Sequence, residues 1–357
     1  MSPSVQRERV IGSERSVRPS TPRDGPEIVA LMREAGLYPS TDPEHVFWKY
    51  WLKRDEWHNP RSYVLTDGAR LLAHVAIVPT ACRSESGRFR IASVVDWAAR
   101  SRELGAGARL MKYVGTLTDA LLGIHPNPTA SKVMQLIGYK PYGAVTGYVR
   151  TLFPLRMLRR PVGANWRLLP RFARSTAWSL TAPQPAPNGW RTRPIGAEQV
   201  DQIASVLPKS RHGVAVLERG PPQLRYMLDC PTVPMKLYAV EHERQLRGYF
   251  ILAFVPGQAR LADYWIDSVD PCEWRALIQC AVAQAKQDDD VAELATWASD
   301  AMLAQCLEDC GFHARFAAPI YLRADGPSWI GTSALRVQML DSDAAYLKHG
   351  DRRVLWA

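Results

Sequence analysis

The 357-residue sequence predicts an α/β (α+β) protein, with a mixed, mostly antiparallel sheet flanked by helices laid out twice along the chain. Three observations predict it. In the first half, short apolar runs joined by hairpin turns give way to alternating strand and helix patterns. After a stretch rich in Arg, Pro and Trp, the same order returns from Trp190 onward. Hydrophobic residues make up 46% of the chain, enough for two domain cores, yet no stretch approaches the roughly 20 apolar residues of a membrane helix.

The elements follow in order. Residues 1–16 are polar, mixed in charge and without the apolar centre of a secretory signal, so a disordered leader on a cytoplasmic protein is expected. Arg18 to Gly36 reads as a strand entering a helix, with Thr21 or Asp24 as cap and Ile28, Leu31, Met32 and Ala35 at helical spacing. His45 to Leu52 is an aromatic-rich helical piece. Tyr63 to Thr66 and Arg70 to Val78 are strands paired through the Asp67-Gly68 turn, and Phe89 to Ala99 is a longer strand. A glycine loop, a helix from Ala108 to about Ala120, a strand at Leu121 to His125 and a helix from Pro128 to Ile137 come next. Tyr142 to Phe153 is expected to complete the sheet of a domain spanning 17–150. Residues 151–188 resemble an extended basic linker ending in a Pro-rich run. The second domain is expected over 189–325, followed by a tail over 326–357. Its strands fall at Lys236 to Glu241, Arg247 to Val255, Ala259 to Asp267, Val291 to Trp297 and Ala317 to Leu322. Asp96-Trp97 and Asp263-Tyr264 occupy matching points of the two halves.

The motif that carries chemistry follows the strand ending at Ala99. That strand is apolar except for Asp96, and runs into Arg102-Glu103-Leu104-Gly105-Ala106-Gly107 ahead of a helix. Glycines let successive backbone N–H groups turn inward as an anion nest, and the helix points its positive end at the same place. A pyrophosphate fits, and Arg109 can add charge. No Lys-Ser/Thr follows the last glycine and the third glycine of the dinucleotide fingerprint is absent, so neither of those phosphate loops is present. A tight turn without a ligand is the alternative.

Arg102-x-x-Gly105-x-Gly107 resembles the acyl-CoA signature of the GNAT (N-acetyltransferase) superfamily, R/Q-x-x-G-x-G/A. About 20 residues on, Asn127-x-x-Ala130-x-x-x-Met134-x-x-x-Gly138-Tyr139 is similar to that family's N-x-x-A-x-x-x-Y-x-x-x-G-F. The resemblance covers Val17 to Thr151 well and Trp190 to Arg323 in outline, which makes two GNAT-like domains the expected fold, the second degenerate. Trp48-Lys49-Tyr50 with Asn59-Pro60 resembles GNAT proteins found with bacterial extracellular-polysaccharide genes.

The resemblance implies an acyltransferase that uses acetyl-CoA or another acyl-CoA and a small-molecule or sugar-like acceptor. The acceptor's amine, or less often hydroxyl, attacks the thioester in a splayed sheet. Backbone N–H groups of Leu104, Gly105, Ala106, Gly107 and Ala108 would hold the pyrophosphate, with Arg102 and Arg109 adjacent. The backbone of Trp97, Ala98 and Ala99 would pair with the pantetheine arm, and Asn127 would lie beside it. The family's usual acid, a tyrosine, is here Met134, whose thioether cannot donate a proton. Tyr139, Tyr142 or His125 can serve instead, or the thiolate leaves unaided. For the base, Asp96 is the first choice, since burial would raise its pKa; a structural hydrogen-bonded carboxylate is the competing reading. His125, at the end of a strand, is the other candidate.

In the second half, Asp267, Asp270, Pro271 and Glu273 stand where the glycine loop would be. Their charge would repel a pyrophosphate, and Pro271 lacks a donor. Between Asp119 and Glu198 there is no acidic residue, and this block accounts for the net charge of +10. Its 151–180 portion mixes Arg with Leu, Phe and Trp. That suits domain packing with solvated tips, or an anionic membrane surface at which the protein would be peripheral; nucleic acid is disfavoured for want of any motif. The cysteines form no CxxC pair, so no metal is expected and the thiols should be reduced and buried. Two other functions compete: a non-catalytic CoA-binding or scaffold protein, and a tRNA-dependent aminoacyl transferase, which the intact glycine loop disfavours.

Overall fold

The computed structural model describes residues 15–159, 168–183, 188–210, 213–324, 334–349 and 353–356. The leader falls outside them up to residue 14. The first half begins with β1 (Arg15–Pro19), α1 (Gly25–Glu34) and α2 (Pro43–Tyr50). The Asp24 carboxylate accepts from the backbone and hydroxyl of Thr21 and grips Arg18, which fixes the turn into α1. Asp42 caps α2, with Pro43 in the first turn. β2 (Ser62–Asp67), β3 (Arg70–Ser84) and β4 (Gly87–Ala99) form an antiparallel meander. Then come α3 (Ala106–Val114), β5 (Ala120–Ile124), α4 (Pro128–Leu136) and β6 (Lys140–Thr151).

Within the expected linker, α5 forms over Leu168–Thr181, because Pro170 falls in its first turn, where no N–H is needed. The second half contains β7 (Trp190–Ile195), β8 (Val214–Leu217), α6 (Pro221–Leu228), β9 (Met235–His242), β10 (Gln245–Val255) and β11 (Gln258–Ile266). α7 (Pro271–Ala285), β12 (Glu293–Ala298), α8 (Ala301–Asp309), β13 (His313–Ala324) and β14 (Ala334–Arg336) follow. The stretch Ala197–Val206 is a 3₁₀ helix.

The sheet runs β1-β2-β3-β4-β5-β13-β6-β12-β11-β10-β9-β7, mostly antiparallel, with helices on its faces, as the composition and order predicted. β4 and β5 are parallel, and so are β11 and β12. The exchange at the centre was not foreseen. β6 does not pair with β5; it lies between β13 and β12, and β13 takes the place beside β5. Each half therefore receives its last strand from the other. The C-terminal tail is also built in: β14 pairs with β8, and Met339, Leu340 and Tyr346 are buried in the core.

Two cores result. The larger runs through both halves and takes side chains from both faces of β10 and β11, and the smaller lies under α3 and α4, around Leu110, Met111, Met134 and Tyr139. The basic segment is tied down by its own arginines. Arg150 donates to the carbonyls of Cys310 and Pro183, and Arg156 and Arg159 to carbonyls of residues 288–291. Among the described residues, no helix is long and apolar enough to cross a membrane. Five cysteines are buried; Cys272 is exposed, because it stands in the first turn of α7.

Candidate active site

β4 and β5 are hydrogen-bonded only from Ile91–Ser93 to Ala120–Leu122, and beyond that they part. Two features hold the gap open. β4 is bulged against β3: His74 opposes Ala98 and Ala76 opposes Val95, so Asp96 and Trp97 face Val75 alone. His125, just past β5, and Asp96 are both left-handed, with φ near 52° and 50°. Among the described residues, the other non-glycine residues of this kind, Glu243 and Arg244, make the two-residue turn between β9 and β10, where the geometry is ordinary. Asp96 and His125 have no such excuse, and each costs about 1–3 kcal/mol of strain. Both line one cavity of about 300 Å³, with Trp97, Gly123, Asn127 and Met134 of this half and Trp297 and Asp343 of the other.

Asp96 is the centre of an ion cluster. Its Oδ2 lies 2.5 Å from Lys49 Nζ and accepts from the Tyr50 hydroxyl at 2.7 Å. Lys49, on α2, also reaches Asp343 at 3.2 Å. Burial would raise the pKa of Asp96, as the sequence suggested, but the Lys49 ammonium and the hydrogen bonds outweigh it and hold the carboxyl below its usual range. Burial works against the Lys49 charge too, and Asp96 and Asp343 more than restore it. Asp96 is thus a carboxylate, not a proton carrier tuned toward neutrality. Its backbone carbonyl accepts from His74 Nδ1. Behind that, hydrogen bonds link Trp51 to Ser20, Ser20 to Ser62 and Ser62 to His74 Nε2. Burial pushes His74 down to about 4, so the ring is neutral and this chain of donors holds the bulge.

His125 differs. Its ring stacks on Phe316 at 5.1 Å, and neither ring nitrogen has a partner among the described residues. Burial holds its pKa below the ordinary imidazole range. Asn127 accepts from Ala130 N at 2.8 Å, which explains the N-x-x-A spacing as a helix cap. Met134 occupies the room that Gly123 leaves: a Cβ there would meet its sulfur at 2.6 Å. Tyr139 is a correction. It is not among the cavity-lining residues; its hydroxyl is buried without a partner in the smaller core, where burial raises its pKa. Tyr142, half-buried, does not line the cavity either.

Gly105, at φ 79°, caps α3, which starts two residues earlier than expected. Ala106 N is used on Glu103 O, while the N–H groups of Leu104, Gly105, Gly107 and Ala108 find no partner among the described residues. Leu104 is 90% exposed, and Arg102 is exposed. Arg109 points away: its guanidinium donates to Arg15 O at 2.9 Å. Gly107 is glycine because Trp97 packs on the helix start; its Nε1 would lie 3.0 Å from an added Cβ and donates to Gly107 O. Ala98 and Ala99 continue the β4 edge beyond its contact with β5.

The second half contains a sealed counterpart. β11 is bulged against β10 beside Asp263, and Asp263 accepts from the Tyr249 hydroxyl at 2.6 Å and from Arg219 at 2.8 Å. Arg219 also meets Asp341 at 2.7 Å, and all three side chains are at most 2% exposed. At the split, the Gln338 carboxamide accepts from Tyr264 N at 2.7 Å and donates to Tyr264 O at 2.8 Å. Asp270 caps α7 and Glu273 holds Arg247, so the loop after β11 serves the fold. One C-terminal segment therefore gives Gln338 and Asp341 to the closed split and Asp343 to the open one. The sequence reading missed Lys49, Asp343 and Gln338; a lone lysine in an aromatic helix was the one available signal.

No protein-family model matches the chain, and no curated protein matches it in sequence. Its shape is similar to a GCN5-related N-acetyltransferase from Anabaena variabilis (TM-score 0.56, 12% identity, 87% of this chain and 73% of that one). It is similar also to a GCN5-related N-acetyltransferase from Kribbella flavida (0.54, 13%, 88% and 72%). A conserved protein from Enterococcus faecalis gives 0.56, 12%, 89% and 74%. Over most of its length, the chain thus shares its fold with these GCN5-related N-acetyltransferases.

Proposed function

We propose that the chain is an acyl-CoA-dependent acyltransferase, acetyl-CoA being the simplest donor, that acylates an amine of a small-molecule acceptor at the β4/β5 split. The contrast between the two splits carries the reading: one is filled by the chain's own Gln338, the other is an open cavity bearing strained, chemically able side chains.

The residues fit the donor on two counts. Unpartnered N–H groups gather at the start of α3, where an anion is favoured, and the space beside Gly105 is open, with nothing within 4 Å of where a Cβ would stand. Tyr264 already binds an amide along its backbone, and Trp97 stands at the matching point of β4; the pantetheine amides would pair there with Trp97, Ala98 and Ala99. Bound acyl-CoA supplies the activated carbonyl. Lys49, Asp96 and Asp343 together carry one net negative charge, which attracts a cationic amine, and Asp96 Oδ1, free of partners among the described residues, can hold it. His125, neutral and with neither nitrogen partnered among the described residues, takes one proton from the bound ammonium; the freed amine bonds to the carbonyl carbon, the C–S bond breaks, and the second proton passes from the new amide nitrogen to water. Met134 gives no acid, so the thiolate leaves unaided, as a thiol of reference pKa about 8.5 permits.

The second half serves as a degenerate, scaffolding copy. The tying of Arg150, Arg156 and Arg159 to carbonyls supports the packing role of the basic segment over a membrane one. A cytoplasmic location and a sugar-like acceptor linked to polysaccharide synthesis rest on the sequence alone. Met134 favours one other reading, a CoA-binding protein without turnover; it predicts binding and no product with any amine.

The test is affinity. Gly107→Glu puts a carboxylate at the nest and should weaken acetyl-CoA binding by at least roughly 100-fold in a folded protein. Unchanged affinity would sink the loop assignment.

A further inference from the structure

We propose that the turn following α2 builds a second binding site, selective for an oxyanion (a carboxylate or phosphate) carried on a flat or apolar body. The site stands on geometry independent of the acyl-transfer reading.

A cavity of about 530 Å³ lies among Trp51, Lys53, Arg54, Trp57 and Arg61. Trp57 N donates to Arg54 O at 3.1 Å, and the two residues form an isolated antiparallel bridge across Asp55 and Glu56. Directly opposed residues in such a bridge project to the same face. Arg54 and Trp57 are therefore side by side, and each carries a buried donor with no partner among the described residues: Arg54 Nη1 and Trp57 Nε1. The Arg54 side chain is 1% exposed, with Nε and Nη2 committed to Glu56.

The charge is uncompensated as well. Arg61 is buried against the same aromatic ring; the guanidinium carbons of Arg54 and Arg61 lie 4.9 and 4.8 Å from the Tyr226 centroid. Arg61 is satisfied by the Tyr226 hydroxyl and by the Trp48 and Leu52 carbonyls, all neutral. Two buried cations thus meet one carboxylate, Glu56, while the exposed Lys53 and Asp55 on the cavity wall offset each other, which leaves one positive charge in excess. A buried donor left without an acceptor is destabilising, and both orphans here only donate, so the missing partner is an acceptor and, by charge, an anion. The indoles of Trp51 and Trp57 offer its body flat apolar walls.

The experiment follows the Trp57 indole N–H by NMR in the ¹⁵N-tryptophan-labelled full-length protein, assigned by its loss in Trp57→Phe. Titration with inorganic phosphate or with benzoate should shift that signal saturably, and benzyl alcohol at equal ionic strength should not. The anion with the lower half-saturation identifies phosphate or carboxylate as the group. Phosphate held at the glycine loop leaves this signal unmoved. Arg54→Gln should weaken the response at least roughly tenfold, and the exposed Glu56→Gln, which frees the guanidinium, should strengthen it by roughly threefold or more. A Trp57 signal unmoved by both anions overturns the site, as does an equal response in Arg54→Gln or a weaker one in Glu56→Gln.

Discussion

Replacing Arg219 with methionine is expected to lower the unfolding free energy by about 3–5 kcal/mol at neutral pH. The guanidinium is sealed between Asp263 and Asp341, and the Tyr249 hydroxyl adds a hydrogen bond to Asp263. Without it, two carboxyls face each other in the interior. The pH dependence gives the mechanism away. Burial already pushes Asp341 up to about 6 while Arg219 is present, more than Arg219 lowers it. In the variant Asp341 rises further, because the Arg219 charge that lowers it is gone. A carboxyl whose folded pKa exceeds its unfolded value binds extra protons in the folded state, so the variant's stability should recover as pH falls from 7.5 toward about 5. Asp341→Asn in the same background should restore part of the loss. Urea unfolding at both pH values checks this; a variant that unfolds like the wild type at pH 7.5 removes the claim that the triad locks the second split.

His125→Gln is expected to lower kcat/KM by roughly 10²–10⁴, the usual contribution of a positioned base, and to leave acetyl-CoA affinity intact. The wild-type rate should be flat at neutral pH and fall below pH 6.5, because burial holds the His125 pKa under the ordinary imidazole value and only the neutral ring accepts a proton. The glutamine variant should lack that acid limb. Asp96→Asn should raise KM for a cationic amine more than it lowers kcat, since Asp96, ion-paired with Lys49, is the carboxylate proposed to hold the acceptor. An active His125→Gln enzyme with an unchanged pH profile would move the proton to water or to Asp96.

Much of this was legible in the sequence because it is local. The β2–β3 hairpin, the strand ending at Ala99, the glycine loop and the Asn127 cap each follow from turn chemistry, period-2 patterning or capping within a few residues. Asp96 and His125 were found because a charge in an apolar strand and a histidine at a strand end stand out. The exchange of β6 and β13 was not legible: both alternate in the same way, and pairing between distant strands leaves no local signature. The Asp96 pKa ran the other way for the same reason, since Lys49 and Tyr50, which lower it, lie on a helix 46–47 residues before it. Tyr139 was placed at the site by a motif, whereas its ring turns into the core under α4.

The central claim is that one split of this sheet is a working acyl-CoA site and the other is closed by the chain itself. Calorimetric titration of the full-length protein with acetyl-CoA tests it most directly. Saturation is expected at one molecule per chain, because Gln338 already holds the Tyr264 backbone while the Trp97 edge is open. Saturation at two molecules per chain, or no binding at all, would contradict it.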